Sequence, residues 1–224
     1  MKEEDRFSEF FFDERKRPAG NPKQLNIHYP GVAAVVAKHF AGKKILEVGC
    51  GMGWITDHIQ KAGEDCEGFD IYPYAVEKAI CPRIFQGDMM DCGSWDRQWD
   101  VVFASNSMAY LTEDEIPIAL KALHHIVADG GTLFLLFQTW NCFMVRNGVI
   151  PENFVFTRQQ MGEFRRTAQT RDWWLERMFE AGFDVDWPKY KAIKFDNEGL
   201  PGGDFRGGGL GWRGLDNVFV LEKV

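Results

Sequence analysis

"KKILEVGCGMGW", Lys43 to Trp54, is the stretch from which the fold can be worked out. Ile45, Leu46 and Val48 form a short apolar run, which reads as a strand buried on both faces. Gly49, Gly51 and Gly53 follow at once, and glycines so placed let the backbone turn sharply and come close to something. "WITDHIQKAG" then reads as a helix closed by Gly63, so the stretch opens a βα unit. The glycines could approach a phosphate, a dinucleotide, another nucleotide-like ligand or the protein itself. A phosphate-binding P-loop needs a lysine directly after its last glycine, and no lysine follows Gly53. In the dinucleotide pattern, counted from Gly49, the third glycine falls at position 54, where Trp54 would obstruct close approach. The spacing here is GxGxG, preceded by an acid, Glu47.

Working outward, the pattern alternates. "GVAAVVAKHF" reads as a helix stopped by Gly42. "CEGFD" is a second strand, and "PYAVEKAI" a short helix with Pro73 in its first turn. "RIFQGD" and "WDVVFAS" are strands three and four. "IALKALHHIVADGG" is a helix preceded by Thr112 and Glu115 at capping-box spacing, and "GTLFLLFQ" is strand five. Alternating strands and helices predict a parallel, doubly wound sheet. "RDWWLERMFEAGF" is a helix closed by Gly182. "DVDWPKYKAIKF" and "NVFVLEKV" then read as two strands joined only by a Gly-rich loop, residues 197–216, and so as an antiparallel hairpin at the sheet edge. The expectation is one α/β domain over residues 1–224, with a Rossmann-like seven-stranded sheet, mostly parallel. Residues 1–28 are a charged leader that docks as a helix or serves as a lid, and residues 141–168 are an insertion that caps the carboxyl edge. The Gly-rich loop is a mobile connection, or closes on substrate through Phe205 and Trp212.

The 224 residues are 45% hydrophobic and carry a net charge of −7, which gives no general attraction to nucleic acid or anionic membrane. Five cysteines, none at CxxC spacing, argue against a disulfide framework or a zinc site. The leader has no long apolar core and the apolar runs are too short to span a bilayer, so a soluble, cytoplasmic protein is expected.

"ILEVGCGMG" closely resembles the first motif of class I S-adenosylmethionine (SAM)-dependent methyltransferases of the small-molecule type. The strand order inferred above, with its terminal hairpin, is similar to theirs. The resemblance implies SAM as cofactor, with the backbone of Gly49, Cys50, Gly51 and Gly53 around its amino acid end and ribose. Glu47 would orient the loop and favour the ligand's positive charge. Asp70 would accept both ribose hydroxyls, with Ile71 beside it, and Asp88 with Met89 would meet the adenine. Ser105 would support the methionine part, and Asn106 would face the transfer site. Many small-molecule members have Glu at that position and His four residues later; Asn106 and Tyr110 stand there instead, which disfavours metal-assisted and His-base chemistry, and no metal is expected. The chain lacks the NPPY-type sequence of the nucleic acid amino-methylases, which argues against DNA.

Tyr110, Asn106 and His28 are the catalytic candidates; Tyr29, Trp140 and Asn141 are the candidates for substrate contact. Arg158, Arg165, Arg166 and Arg171 are either solvated surface or a clamp for a carboxylate or phosphate on the acceptor. The expected function is methyl transfer to an oxygen or nitrogen of a small, anionic-leaning molecule. The alternatives are a methylase of protein or RNA, docking through the Arg-rich cap with Trp173 and Trp174, and a non-catalytic SAM-binding partner of a larger complex. A nucleotide-dependent oxidoreductase is opposed by Trp54. Neither the acceptor nor the oligomeric state is written in the sequence.

Overall fold

The structure, a computed structural model, describes residues 29–137, 167, 169–199 and 218–224, the side chains of 194–199 excepted. The expected leader and nearly all of the cap and Gly-rich loop therefore lie outside the described residues. In chain order the elements are α1 (Tyr29–His39), β1 (Ile45–Val48), α2 (Trp54–Lys61), β2 (Cys66–Asp70), α3 (Pro73–Glu77), β3 (Ile84–Gln86), β4 (Trp99–Ser105), α4 (Glu115–Ile126), β5 (Val127–Leu136), α5 (Arg171–Glu180), β6 (Phe183–Val185), α6 (Trp187–Gly199) and β7 (Val218–Lys223). Short 3₁₀ turns at Cys92–Ser94 and Met108–Tyr110 flank β4.

The seven strands form one sheet in the order β3-β2-β1-β4-β5-β7-β6. β1 pairs in parallel with β2 on one side and β4 on the other, so the chain order reverses beside β1. That is the switch point where ligands bind in open α/β sheets. The period of two explains why both faces are buried. Leu46, Val48, Val102 and Ala104 enter one core layer, with α4 and α5; Ile45, Val101 and Phe103 enter the other, with α1 and α2. The expected capping box at α4 forms in full. Thr112 N donates to Glu115 Oε2 at 2.7 Å, and Glu115 N to Thr112 Oγ1 at 3.4 Å.

β7 is antiparallel to both β5 and β6, as expected of the terminal pair. The connection between them corrects the sequence reading. Only Phe183–Val185 is strand; after Asp186 the rest of "DVDWPKYKAIKF" is the first part of α6, and residues 197–199 of the expected Gly-rich loop are its last turn. Local chemistry accounts for it. Asp186 Oδ1 accepts from Lys189 N at 2.9 Å, which caps the first turn. Pro188 falls in that turn, where its missing N–H costs nothing. Ile193, 1% exposed, anchors the helix in the core layer of α1. No helix among the described residues is long and apolar enough to cross a membrane.

Gly63 and Gly182 end helices with nearly equal backbone angles, φ +92° and +91°. An added Cβ would meet nothing at Gly63 but would lie 2.8 Å from His124 Nε2 at Gly182. Gly63→Ala is expected to cost about 1–2 kcal/mol, the left-handed penalty alone. Gly182→Ala should cost more, because His124 stands edge-on to Phe183 and must move. Denaturant midpoints check this; equal losses would show that His124 yields freely.

Candidate active site

The loop between β1 and α2 stands at the switch point. Gly49, Gly51 and Gly53 have φ of +66°, +56° and +82°, a conformation costly for any residue with a Cβ. Two of them also answer to the protein's own packing. A Cβ on Gly49 would lie 2.5 Å from Ser107 Cβ, and one on Gly53 would lie 2.9 Å from Ile84 and 3.1 Å from Cys81 Sγ. Cys50 is buried, and its N–H donates to Phe69 O at 3.0 Å, carrying the β1–β2 ladder one step beyond the strand.

Two carboxyl groups hold this loop. Glu47, 2% exposed, accepts from Thr56 N at 2.9 Å and Thr56 Oγ1 at 2.5 Å. It ties the middle of β1 to the first turn of α2. Burial pushes the Glu47 carboxyl up to about 8, against the pull of the two Thr56 bonds and with some help from Asp70. The shift favours the protonated form of a group that orients the loop. Asp70 ends β2. Its Oδ2 accepts from Gly51 N at 2.7 Å and its Oδ1 from Tyr72 N at 3.0 Å. Burial raises Asp70 above its ordinary value, and the two backbone N–H groups oppose that shift. Each carboxylate oxygen has a second acceptor position, so Asp70 can still take hydroxyl donors.

Ile71, next in the chain, is 49% exposed at the same edge. Gly87 N donates to Asp70 O at 3.0 Å and so brings the end of β3 alongside. Asp88 follows and closes a tight turn, its Oδ1 accepting from Met90 N at 2.9 Å. It also lines an open groove of about 500 Å³ walled by Phe85, Trp95 and Arg97. Met89 packs against the core layer of α4.

The end of β4 completes the arrangement. Ser105 is its last residue. Asn106 has φ +65°, the one non-glycine with positive φ among the described residues. Its N–H donates to Leu136 O at 2.6 Å, and its Oδ1 is buried without a hydrogen-bond partner. Tyr110, half-buried, ends the 3₁₀ turn that follows, with its N–H on Ser107 O at 3.1 Å. The structure thus gathers Glu47, the glycine loop, Asp70, Ile71, Asp88, Ser105, Asn106 and Tyr110 at one edge. Tyr29 opens α1 and packs half-buried against the core layer of that helix. His28, Trp140 and Asn141 lie outside the described residues. Two residues escaped sequence reasoning. Thr56 bonds the Glu47 carboxyl and Ser107 abuts Gly49, both through space, and no local pattern marks either.

The chemistry of this edge fits SAM. The loops at residues 49–54, 70–73, 87–91 and 105–107 contain no Lys or Arg, and they offer Asp70, Asp88, Asp91 and the unpaired Asn106 carbonyl. Such a set suits hydroxyl, amino and cationic sulfonium groups. It does not suit a pyrophosphate.

The protonated Glu47 has a measurable consequence. The folded chain holds an extra proton there between pH 4.5 and about 8, so its stabilising contribution is full below 4.5 and is lost as pH rises through about 8. The slope approaches about 1.4 kcal/mol per pH unit. Melting temperatures across this range should fall less steeply in Glu47→Gln than in the unmodified protein. Parallel curves would show that Glu47 titrates normally.

Comparison with known proteins agrees with the geometry. The family model for a methyltransferase domain matches residues 24–185. A malonyl-(acyl-carrier protein) O-methyltransferase from Erwinia billingiae is 26% identical over 104 residues, a match that spans 44% of this chain and 39% of that protein's length. A SAM-dependent methyltransferase from Archaeoglobus fulgidus has the same fold, with TM-score 0.61 at 14% identity, covering 97% of this chain and 100% of that one. SAM-bound CalS10, an amino pentose methyltransferase from Micromonospora echinaspora, superposes with TM-score 0.57 at 18% identity, covering 88% and 90%. With the family model matching well over half of its length, the chain belongs to the methyltransferase-domain family.

Proposed function

We propose that the chain methylates an oxygen or nitrogen of a small molecule that carries an anionic group. The observation that carries this reading is Asn106: a buried, unpartnered carbonyl oxygen on a left-handed backbone beside the cofactor loop. A buried acceptor left unpaired costs about 1–3 kcal/mol. An N–H or O–H on the incoming acceptor would relieve that cost and bring its lone pair into line. Bound SAM supplies a methyl group already activated by the sulfonium.

The protein's part is then alignment and exclusion of water, which together can contribute roughly 7–11 kcal/mol. Gly49, Cys50, Gly51 and Gly53 would pack their backbone on the amino acid end and ribose, and Asp70 would take the ribose hydroxyls. Ile71, Asp88 and Met89 would flank the adenine, and Ser105 would support the methionine part. Asn106 cannot act as a strong base. The acceptor should therefore arrive as a neutral amine, or as a readily ionised oxygen with a second N–H or O–H beside it for Asn106; Tyr110 is the nearby group that could still exchange a proton. His28 as a base and Tyr29, Trp140 and Asn141 as acceptor contacts rest on the sequence.

Arg171 supports the anionic character. Its Nη1 donates to Val218 O at 2.7 Å, and the guanidinium lies 4.5 Å over the Phe219 ring and 5.5 Å from that of Tyr190. Val218 pairs with Leu136, so this cation is held at the carboxyl end of β5. The resemblance to a malonyl-(acyl-carrier protein) O-methyltransferase and to an amino pentose methyltransferase supports O or N as the atom modified.

Methyl-labelled SAM offered with small carboxylates, phosphate esters, amino sugars, total RNA and total protein tests the reading. Label is expected in the small-molecule fraction. Label confined to protein or RNA would replace this reading with macromolecular methylation, and binding without transfer to anything would replace it with a non-catalytic role. Asp70→Ala should weaken S-adenosylhomocysteine binding by about tenfold or more for each ribose hydrogen bond lost, at roughly 1.5–3 kcal/mol per bond. Calorimetry reads this directly, and unchanged affinity would remove Asp70 from the ribose site.

A further inference from the structure

Ser107 follows Asn106, is 8% exposed, and belongs to no motif. It reaches across from the end of β4 to the end of β1. Its Oγ donates to Val48 O at 2.9 Å, the last carbonyl before the glycine loop. Its Cβ fills the place that a side chain on Gly49 would need, 2.5 Å from that missing atom. One serine thus grips both sides of the first peptide of the loop. The regular pairing of β1 with β4 ends at Glu47 and Phe103, so Ser107 continues the connection where the ladder has stopped.

The same residue fixes its other neighbour. Asn106 is anchored on its amino side by its bond to Leu136 O. On its carboxyl side it is anchored by Ser107 on Val48 O. The left-handed Asn106 is held between two points, one on β5 and one on β1. We propose that Ser107 is the positioning residue that locks the cofactor loop to Asn106, so that the loop and the Asn106 carbonyl keep one fixed geometry. The significance of Asn106 rests on the function proposed above; the grip on the cofactor loop does not.

The test is S-adenosylhomocysteine binding by calorimetry, with melting temperature measured beside it. Ser107→Ala keeps the Cβ contact and loses the hydrogen bond to Val48. It should weaken S-adenosylhomocysteine by about three- to tenfold, the worth of one hydrogen bond, at a temperature where the variant remains fully folded. Unchanged affinity in folded Ser107→Ala would reduce the serine to a packing role and overturn the proposal, while leaving the function reading intact. No S-adenosylhomocysteine binding by the unmodified protein would overturn the function reading itself. Should Ser107→Ala fold poorly, Gly49→Ala and Gly49→Ala/Ser107→Gly decide. Partial recovery of affinity in the double variant, whose second change removes the clashing Cβ, supports the lock. Losses that add overturn it.

Discussion

The close approach of Gly49 and Ser107 is the contact on which the site depends. Two loops that leave adjacent parallel strands have no ladder to hold them together. Here they are held by the absence of one Cβ and the presence of one hydroxyl. Any side chain at Gly49 would force the loop off Ser107 and carry Gly51 with it. Gly51 N is the donor to Asp70, so the end of β2 would lose its brace as well. Gly87 N in turn leans on the Asp70 carbonyl, which fixes where Asp88 emerges. A single steric fact at the switch point thus propagates through three strand ends.

Charge at this edge follows the same economy. Two carboxyl groups sit close to the loop and each is raised by burial. Were both ionised, the loop would sit beside two desolvated charges, an expensive arrangement. The upward shift of Glu47 favours a proton there, which lessens that cost while the hinge on Thr56 is kept. Asp70 stays close to backbone N–H groups, which favour its ionised form. The division lets one acid serve structure and the other face a ligand.

The doubly wound sheet was legible because its signals are local. Apolar runs ended in glycine, and Thr112 with Glu115 announced a helix start that the structure reproduces. α6 was misread for a local reason too. "DVDWPKYKAIKF" is rich in strand-favouring residues, and its helical content depends on the Asp186 cap and on Ile193 finding a buried seat. That seat belongs to the tertiary structure. At the site, the glycines, Glu47 and Asp70 could be read from their spacing to β1 and β2. Ser107 and Thr56 could not, because what matters is which atom lies across the loop, and no period in the sequence encodes that. The upward shift of Glu47 was hidden for the same reason: a sequence shows an acid, and only the fold shows its burial.

Asn106 is where these arguments meet. A non-glycine residue held in the left-handed region pays for its conformation, and such strain persists where surrounding contacts over-determine it. Leu136 and Ser107 supply those contacts. Packing alone would be served as well by glycine, at lower cost. Asparagine adds a carbonyl oxygen, and that oxygen is buried without a partner, so the position carries two penalties together. Asparagine is also among the few residues that tolerate this backbone while offering a polar atom. Both penalties persist beside the glycine loop, where a hydrogen-bond donor for that oxygen would relieve one of them.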